Sequence, residues 1–326
     1  MRAWGLYAPG RMQIVVIMDP PETVQVDADT SFALMEEAQA RGHRVDHCGI
    51  ADFFFYGGRL GAHVRRATTH RVPGTIPITL GEPEDVWLDS VDAVLMRKDP
   101  PFDNNYLWAT QLLEHARGKT LLINDPRALR DANEKLYAMH FLSCMPDTLV
   151  TNDKARIKAF MREVGGRAVI KPLSGAGGDG VFLMRDDDLN VNAIIETVTH
   201  VGKRLAMIQR FLPEVVAGDK RILLLDGEPL GAILRVPQKD DVRSNIHIGG
   251  SVHATELDDD DRRIVAALAP KLRADGLIFV GLDVIGGKLT EVNVTSPTGI
   301  QQMSRLMKQN LSARVLDWIE AHRERA

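Results

Sequence analysis

Apolar residues fall along this chain in short solid runs separated by amphipathic stretches, the pattern of strands alternating with helices. Met12–Asp19 (MQIVVIMD) reads as a fully buried strand. After a proline-containing loop, the apolar spacing of Ser31–Arg41 predicts a helix capped near Asp29 or Thr30 and closed by Gly42. Val91–Lys98 and Thr120–Asn124 read as further strands with a helix around Asn105–Arg117 between them, which predicts a parallel sheet. This first domain closes near residue 132.

A helix over Glu134–Phe141, a strand Thr148–Thr151, a helix Lys154–Glu163 and a strand Ala168–Lys171 come next, ahead of a glycine loop. A strand Val181–Arg185, a helix around Asn192–Val201 and a strand Ala206–Phe211 complete a small α+β unit with the dimensions of a mobile lid. From residue 211 the pattern turns antiparallel. One hairpin, Lys220–Leu225 and Leu230–Val236, turns at Asp226-Gly227. A helix Asp259–Asp275, a second hairpin within Ile278–Thr295 turning at Gly286-Gly287, and a helix Met303–His322 finish the chain. Three domains are expected, 1–132, 133–210 and 211–326, with no internal repeat. Residues 1–11 precede the first buried strand and read as an extension outside the fold, from a misassigned start or an added tail.

Composition narrows the classes. At 326 residues with 44% hydrophobic and 26% charged positions, the chain can bury a real core and is neither disordered nor low-complexity. Its net charge of −4 has the wrong sign for a protein whose main partner is bulk nucleic acid. The cysteine count of 2, Cys48 and Cys144, gives no disulfide framework or metal knuckle, and a reducing cytoplasm is expected. No run approaches the roughly 18 apolar residues of a spanning helix, so no membrane role is expected.

Gly175-Ala176-Gly177-Gly178-Asp179-Gly180 matches GxGxxG, but strand-like residues follow it where a dinucleotide site needs a helix. What remains is a glycine turn between strands, either a plain flexible hairpin or a backbone cover for phosphates. Lys171, just ahead of it, supplies the cation a polyphosphate needs and favours the cover. Asp283, Glu291 and Asn293 lie on two otherwise apolar strands. Glu291 and Asn293 share a face, and with Asp283 across the hairpin they form an oxygen set suited to Mg²⁺, with Mn²⁺ as a substitute. A two-residue turn would place Asp283 opposite Thr290 and on the wrong face. The metal reading therefore requires a three-residue loop Ile285–Gly287, pairing Asp283 with Leu289, or a bulge. Arg97, Arg221, Arg235 and Arg243 suit a small substrate with more than one carboxylate, although any one of them alone reads as a surface charge. His43 and His47 have helical metal spacing but straddle a helix end. Together the lysine, glycine cover, acidic hairpin and arginines describe ATP activating a carboxylate.

These motifs, with IVVIMDP, Asp29, Ser31 and Phe32 of DxSF, VLMRKDPPFD, NDPRALRDANEKL, VIKPLSGAGG, GDKRILLLDGEP, RVPQ, FVGLDVIG and LTEVNVTSPTG, are similar to the bacterial glutathione synthetases of the ATP-grasp superfamily. The resemblance runs from about residue 12 to the last helix. It implies an ATP-grasp fold: an N-terminal parallel-sheet α/β domain, a central α+β lid and a C-terminal antiparallel-sheet domain. It implies that Lys135 and Lys171 hold ATP phosphates, that Gly177 and Gly178 cover them, that Gln209, Phe211 and Leu212 line the adenine, and that Asp219 lies near the ribose. Arg221 and Arg235 would be catalytic, Arg97, Arg243, Asn245, Ser296 and Thr298 would bind substrate, and Asp283, Glu291 and Asn293 would bind the metal. ATP would phosphorylate the cysteinyl carboxylate of γ-glutamylcysteine, and the amine of glycine would displace phosphate. A homo-oligomer, tetrameric in the family, is implied too. One departure stands out: Lys239, Asp240 and Asp241 open the loop Pro237–Gly250, which is glycine-rich in the family and is expected to be mobile without ligand. The rivals are an ATP-grasp ligase joining another carboxylate and amine, and a nucleotide-binding regulator without catalysis.

Overall fold

The computed structural model describes residues 10–175, 177–237 and 250–323. The expected extension falls mostly outside them, as does nearly all of the loop after Pro237, with Arg243 and Asn245. The described residues form two compact units. The first holds the chain up to Asp131, Lys271–Phe279 and the residues from Val294 on, and the second holds Ala132–Pro270 and Val280–Asn293.

The first unit is built on a 7-stranded sheet. Its strands are β1 (Gln13–Ile17), β2 (Arg44–Cys48), β3 (Phe53–Tyr56), β4 (Arg59–Thr69), β5 (Ile78–Trp87), β6 (Ala93–Met96) and β7 (Leu121–Ile123). The order β2-β1-β6-β7 is parallel, as the apolar runs predict, because a strand buried on both faces has no need of alternation. Helix α1 (Thr30–Ala40) starts where Asp29 Oδ1 accepts from Phe32 N at 2.7 Å, and α2 (Asn104–Leu113) is capped in the same way by Asp103. A short α3 (Pro126–Asp131) follows β7. Strands β3, β4 and β5 form an antiparallel extension absent from the sequence-based expectation.

The second unit contains a 4-stranded sheet of β8 (Thr148–Thr151), β9 (Arg167–Pro172), β10 (Phe182–Arg185) and β11 (Ala206–Arg210), in the order β10-β9-β11-β8. Helices α4 (Lys154–Glu163) and α5 (Val191–Val198) cover it, burying Ile157, Met161 and Ile195 against Ile170, Met184 and Ile208. A 5-stranded sheet follows, ordered β14-β13-β12-β15-β16, from β12 (Asp219–Leu225), β13 (Glu228–Val236), β14 (Ser251–Ala254), β15 (Phe279–Ile285) and β16 (Lys288–Asn293). Helix α6 (Asp259–Asp275) has the predicted limits. The helix expected over Glu134–Phe141 is instead a 3-10 stretch, Tyr137–Cys144, because the Glu134 carbonyl accepts from Val292 N of β16 at 3.0 Å and serves the sheet.

In the first unit, the single helix expected over Met303–His322 is two, α7 (Ile300–Met307) and α8 (Leu311–His322). Lys308 is left-handed at φ 53°, and Asn310 caps the second helix by accepting from Ala313 N at 3.1 Å. No described helix is long and apolar enough to cross a membrane.

Candidate active site

Of the candidate residues in the second unit, Lys135, Lys171, Gly178, Gln209, Phe211, Leu212, Asp219, Asp283 and Glu291 line one pocket. Lys171 projects from β9, paired with Met207 of β11, and the described glycines Gly175, Gly177, Gly178 and Gly180 lie between β9 and β10, which pair antiparallel. That is a hairpin, the strand-turn-strand arrangement of a cover loop. Gly177 and Gly178 have φ of +63° and +87°, a region open to glycine, so their amides are free to face a ligand without a side chain between. Lys135 is buried; its ammonium donates to the Gly175 carbonyl at 2.6 Å and pairs with Glu291 Oε1 at 2.9 Å. The Lys171 side chain is half-buried, and desolvation and the nearby Lys135 push its pKa down although Glu291, Asp283 and Asp219 pull the other way. At the far end of the pocket stand Gln209, Phe211 and Leu212. The Gln209 amide is fixed by donating to Thr148 Oγ1 at 3.2 Å, and the Arg167 guanidinium lies over the Phe211 ring at 5.0 Å.

The floor is a chain of buried ions. On the β12–β13 hairpin Asp219 pairs across to Arg235, and the guanidinium grips it bidentately, with Nε to Oδ1 at 2.7 Å. Arg235 Nη2 also reaches Asp283 Oδ1 at 3.0 Å. Arg221 closes on the same carboxylate bidentately, Nε to Oδ1 at 2.5 Å and Nη2 to Oδ2 at 3.1 Å. Burial alone would raise the pKa of Asp283, but the charges of Arg221 and Arg235 hold it well below the usual carboxylate range. Asp219 moves upward, because burial outweighs the pull of Arg235 and the weaker pull of Arg221, and Asp283 repels it.

The hairpin register corrects one expectation and satisfies another. The turn is a two-residue one, with Gly286 and Gly287 at φ 54° and 69° and Ile285 opposite Lys288. Asp283 faces Glu291, not Leu289. A bulge at Thr290 adds the residue that restores parity, so Asp283, Glu291 and Asn293 share a face, with Asn293 opposite Gly281. Among the described residues no cluster of three His, Cys, Asp or Glu could hold a metal. The set here is two carboxylates and an amide, hard oxygen donors that fit Mg²⁺ better than a softer ion. In this structure the acids face cations: Asp283 the two arginines, Glu291 Lys135.

Arg97, Ser296 and Thr298 belong to the first unit. There the Arg97 guanidinium donates to Ser31 Oγ at 3.1 Å and to the Pro297 carbonyl at 3.0 Å, joining VLMRKDPPFD to the Ser296-Pro297-Thr298 turn. His43 is consumed structurally, its Nδ1 accepting from Met12 N at 3.2 Å and its Nε2 meeting Glu320 at 2.8 Å. His47 Nε2 lies 3.3 Å from the Asp19 carbonyl. Asp29 and Asp99, present in the sequence as parts of DxSF and VLMRKDPPFD and given no functional role there, border a cavity with Arg97.

The chain resembles D-cycloserine synthetase DcsG over 94% of its length and 99% of that structure, with TM-score 0.66 and 16% identity. It resembles the ATP-grasp ligase PsnB complexed with minimal precursor over 96% and 99%, with TM-score 0.62 and 17% identity. These likenesses give the fold alone; the class, an ATP-grasp, ATP-dependent ligase, is shown by the family models and the curated relatives. The family models for the prokaryotic glutathione synthetase N-terminal domain and ATP-grasp domain match residues 12–130 and 134–308. The glutathione synthetase of Gloeobacter violaceus is 47% identical over 94% of this chain and 96% of that protein, and that of Rhodopseudomonas palustris 46% identical over 96% and 99%. The chain belongs to the prokaryotic glutathione synthetase family.

Proposed function

We propose that this chain ligates γ-L-glutamyl-L-cysteine to glycine, with Lys135, Lys171, Arg221 and Arg235 as the groups that handle the transferred phosphoryl. The observation that carries this assignment is the placement of Lys171 and Lys135 in one pocket with Gly175 and Gly178 of the glycine turn; among the described residues Lys171 has no salt-bridge partner at hydrogen-bond distance, while Lys135 pairs with Glu291. Two ammonium groups beside a turn of bare backbone suit an anionic nucleotide tail more than a neutral ligand. Gln209, Phe211 and Leu212 take the adenine, and Gly177 and Gly178 cover the phosphates. Residues 133–210 serve as the lid that keeps water from the intermediate.

A carboxylate is a poor acyl donor, and phosphorylation supplies its leaving group. A cysteinyl carboxylate oxygen bonds to the γ-phosphorus of ATP as the bond to the β-phosphate oxygen breaks and ADP departs. Glycine, as the neutral amine after losing a proton, then bonds through nitrogen to the acyl carbon, and the carbon–oxygen bond to phosphate breaks. Lys171 and the two arginines offset the charge on the moving phosphoryl oxygens without reorganising, because β9, β12 and β13 hold them in place. Asp283, Glu291 and Asn293 would hold Mg²⁺, or Mn²⁺ in its place, and the ion when bound supplies further neutralisation of the phosphates. A homo-oligomer and a cytoplasmic location rest on the family resemblance alone.

The test follows the atoms. With γ-glutamylcysteine labelled with ¹⁸O in its cysteinyl carboxylate, ATP and glycine, the released phosphate should carry one labelled oxygen per glutathione formed, and release should need both substrates. Phosphate without label would remove the acyl phosphate. Faster turnover of another carboxylate and amine pair would replace the substrates.

A further inference from the structure

A short turn of the second unit, residues 133–137, joins parts of the pocket that lie far apart in the chain. The Asn133 side chain is half-buried and uses both ends of its amide. Its Oδ1 accepts from Lys135 N and Leu136 N, each at 3.1 Å, which fixes the turn that carries Lys135. Its Nδ2 donates to the Leu173 carbonyl at 2.9 Å, just ahead of the glycine turn. The backbone adds to this: Tyr137 N donates to the Asn133 carbonyl at 2.7 Å, and Val292 N of β16 to the Glu134 carbonyl at 3.0 Å. The Lys135 ammonium closes the ring, donating to the Gly175 carbonyl at 2.6 Å while it pairs with Glu291 at 2.9 Å.

The chemistry of the side chain is selective. Helices α1, α2 and α4 are opened by Asp29, Asp103 and Asp153, which cap by accepting alone. An aspartate at 133 could accept in the same way, but it has no hydrogen to give to Leu173. The amide is therefore matched to two partners, and the second of them leads to the glycine turn. Among the described residues nothing lies within 4 Å of the place where Gly177 would carry a side chain, so that part of the turn has no packing to hold it. Its position over the pocket is set at its base, where Asn133 holds Leu173 and Lys135 holds Gly175.

We propose that Asn133 is a positioning residue for phosphoryl transfer: its amide sets the base of the glycine turn against Lys135, so that turn and ammonium meet the nucleotide phosphates as one preset unit. Asn133 does not line the pocket and acts through Leu173 and Lys135. The proposal rests on the ligase reading above, in which Lys135, Gly177 and Gly178 meet the phosphates. A preset cover needs no ordering when the nucleotide arrives, and it keeps water from the acyl phosphate. With the tie to Leu173 cut, water competes with glycine. Its oxygen bonds to the acyl carbon, the carbon–oxygen bond to phosphate breaks, a proton passes to solvent, and γ-glutamylcysteine is regenerated.

Two substitutions separate the donor from the cap. Asn133→Asp keeps the accepting oxygen and loses the donor, and Asn133→Ser keeps a shorter acceptor without adding charge. In both, the Kd of ADP should rise about 10-fold and that of AMP less than about threefold, because AMP has no β-phosphate for the turn to cover. Retained AMP binding shows that the adenine end is folded. Wild-type protein should release phosphate and glutathione in equal amounts, whereas both variants should release about twice as much phosphate or more. A smaller folded fraction would lower turnover without moving that ratio. Equal weakening of ADP and AMP in both variants would make Asn133 scaffold. Unchanged ADP binding with a wild-type ratio would free the turn from it, and defects in Asn133→Asp alone would assign them to the added charge. Each of these overturns the proposal. Wild-type protein that binds ADP but forms no glutathione would overturn the ligase reading instead, and the comparison of ADP with AMP would still decide the role of Asn133.

Discussion

In the second unit Asp219, Arg235, Asp283 and Arg221 form an alternating chain of acids and bases, each buried and each held by the next. In the first unit Arg97 is buried to the same degree but rests on a hydroxyl, a carbonyl and an aromatic ring. The difference separates two uses of enclosed charge. A closed ion chain fixes side-chain positions before any ligand arrives, whereas an unclosed one draws its missing charge from the ligand. Removing a link should therefore damage stability in the second unit and recognition in the first.

The largest effect falls on Asp283. Asp283→Ala leaves Arg221 and Arg235 without their shared anion, and breaking such a buried pair costs about 3–5 kcal/mol. Denaturant unfolding should show that loss together with loss of turnover, and a variant of wild-type stability would make the chain ornamental. The acid dependence has the matching sign. Because the folded pKa of Asp283 lies below the ordinary 3.8, its stabilisation is present above that pH and is lost as pH falls below it. Asp219, moved upward, works in the opposite sense.

Asp219 sharpens the comparison from inside the chain. Both its oxygens are taken by Arg235, and we propose that it acts through that guanidinium as a positioning residue, alongside the place near the ribose that the family resemblance implies. Asp219→Asn removes one charge-assisted hydrogen bond, worth about 1.5–3 kcal/mol, and should lower kcat roughly 10- to 100-fold. The Kd for ADP should move less than about threefold, whereas weakened ADP binding with kcat preserved would restore the ribose role.

Arg97→Met should reverse the pattern seen at Asp283. It deletes an enclosed cation along with two hydrogen bonds to neutral groups, opposing changes that should leave unfolding free energy within about 1 kcal/mol of wild type. The stabilisation that γ-glutamylcysteine gives the wild-type protein should disappear in the variant. A loss as large as that of Asp283→Ala would mean that Arg97 is scaffold, and the contrast between the units would collapse.

The contrast was only half legible beforehand. Helix α4 could be read to its ends because Asp153 caps it and its apolar positions recur at helical spacing, and α6 because acids crowd its first turn. Strands β4 and β5 escaped notice: RLGAHVRRATT and ITLGEPEDVW carry many charges, β5 is exposed along most of its length, and the two pair with each other across a loop. Lys171, Asp283 and Glu291 announced themselves as charges within apolar strands. The bulge at Thr290 was demanded by parity, but its position within the hairpin is a matter of packing. That Arg97 lacks an anion could not be read at all, since it depends on which acids the fold brings near it and where Lys98 turns, to Asp19 in this structure.

The smallest effect concerns Asp29, where the same contrast appears as a pH dependence. Burial raises its pKa above the ordinary 3.8, while the amide of Phe32 and the charge of Arg97 pull it down. A raised folded value means that the group's contribution to stability is present below 3.8 and is lost as pH rises through the folded pKa. Asp29→Asn keeps the cap and cannot ionise, so its stability relative to wild type should climb across that interval and then level off. The change should be less than that of any other substitution considered, because the aspartate is half-exposed. Adding γ-glutamylcysteine should flatten it, since an ammonium placed against Asp29 favours the carboxylate and lowers its pKa. Urea unfolding of both proteins from pH 4 to pH 7, with and without the dipeptide, measures this directly. A pH dependence that the dipeptide leaves untouched would place the dipeptide's charged groups away from Asp29.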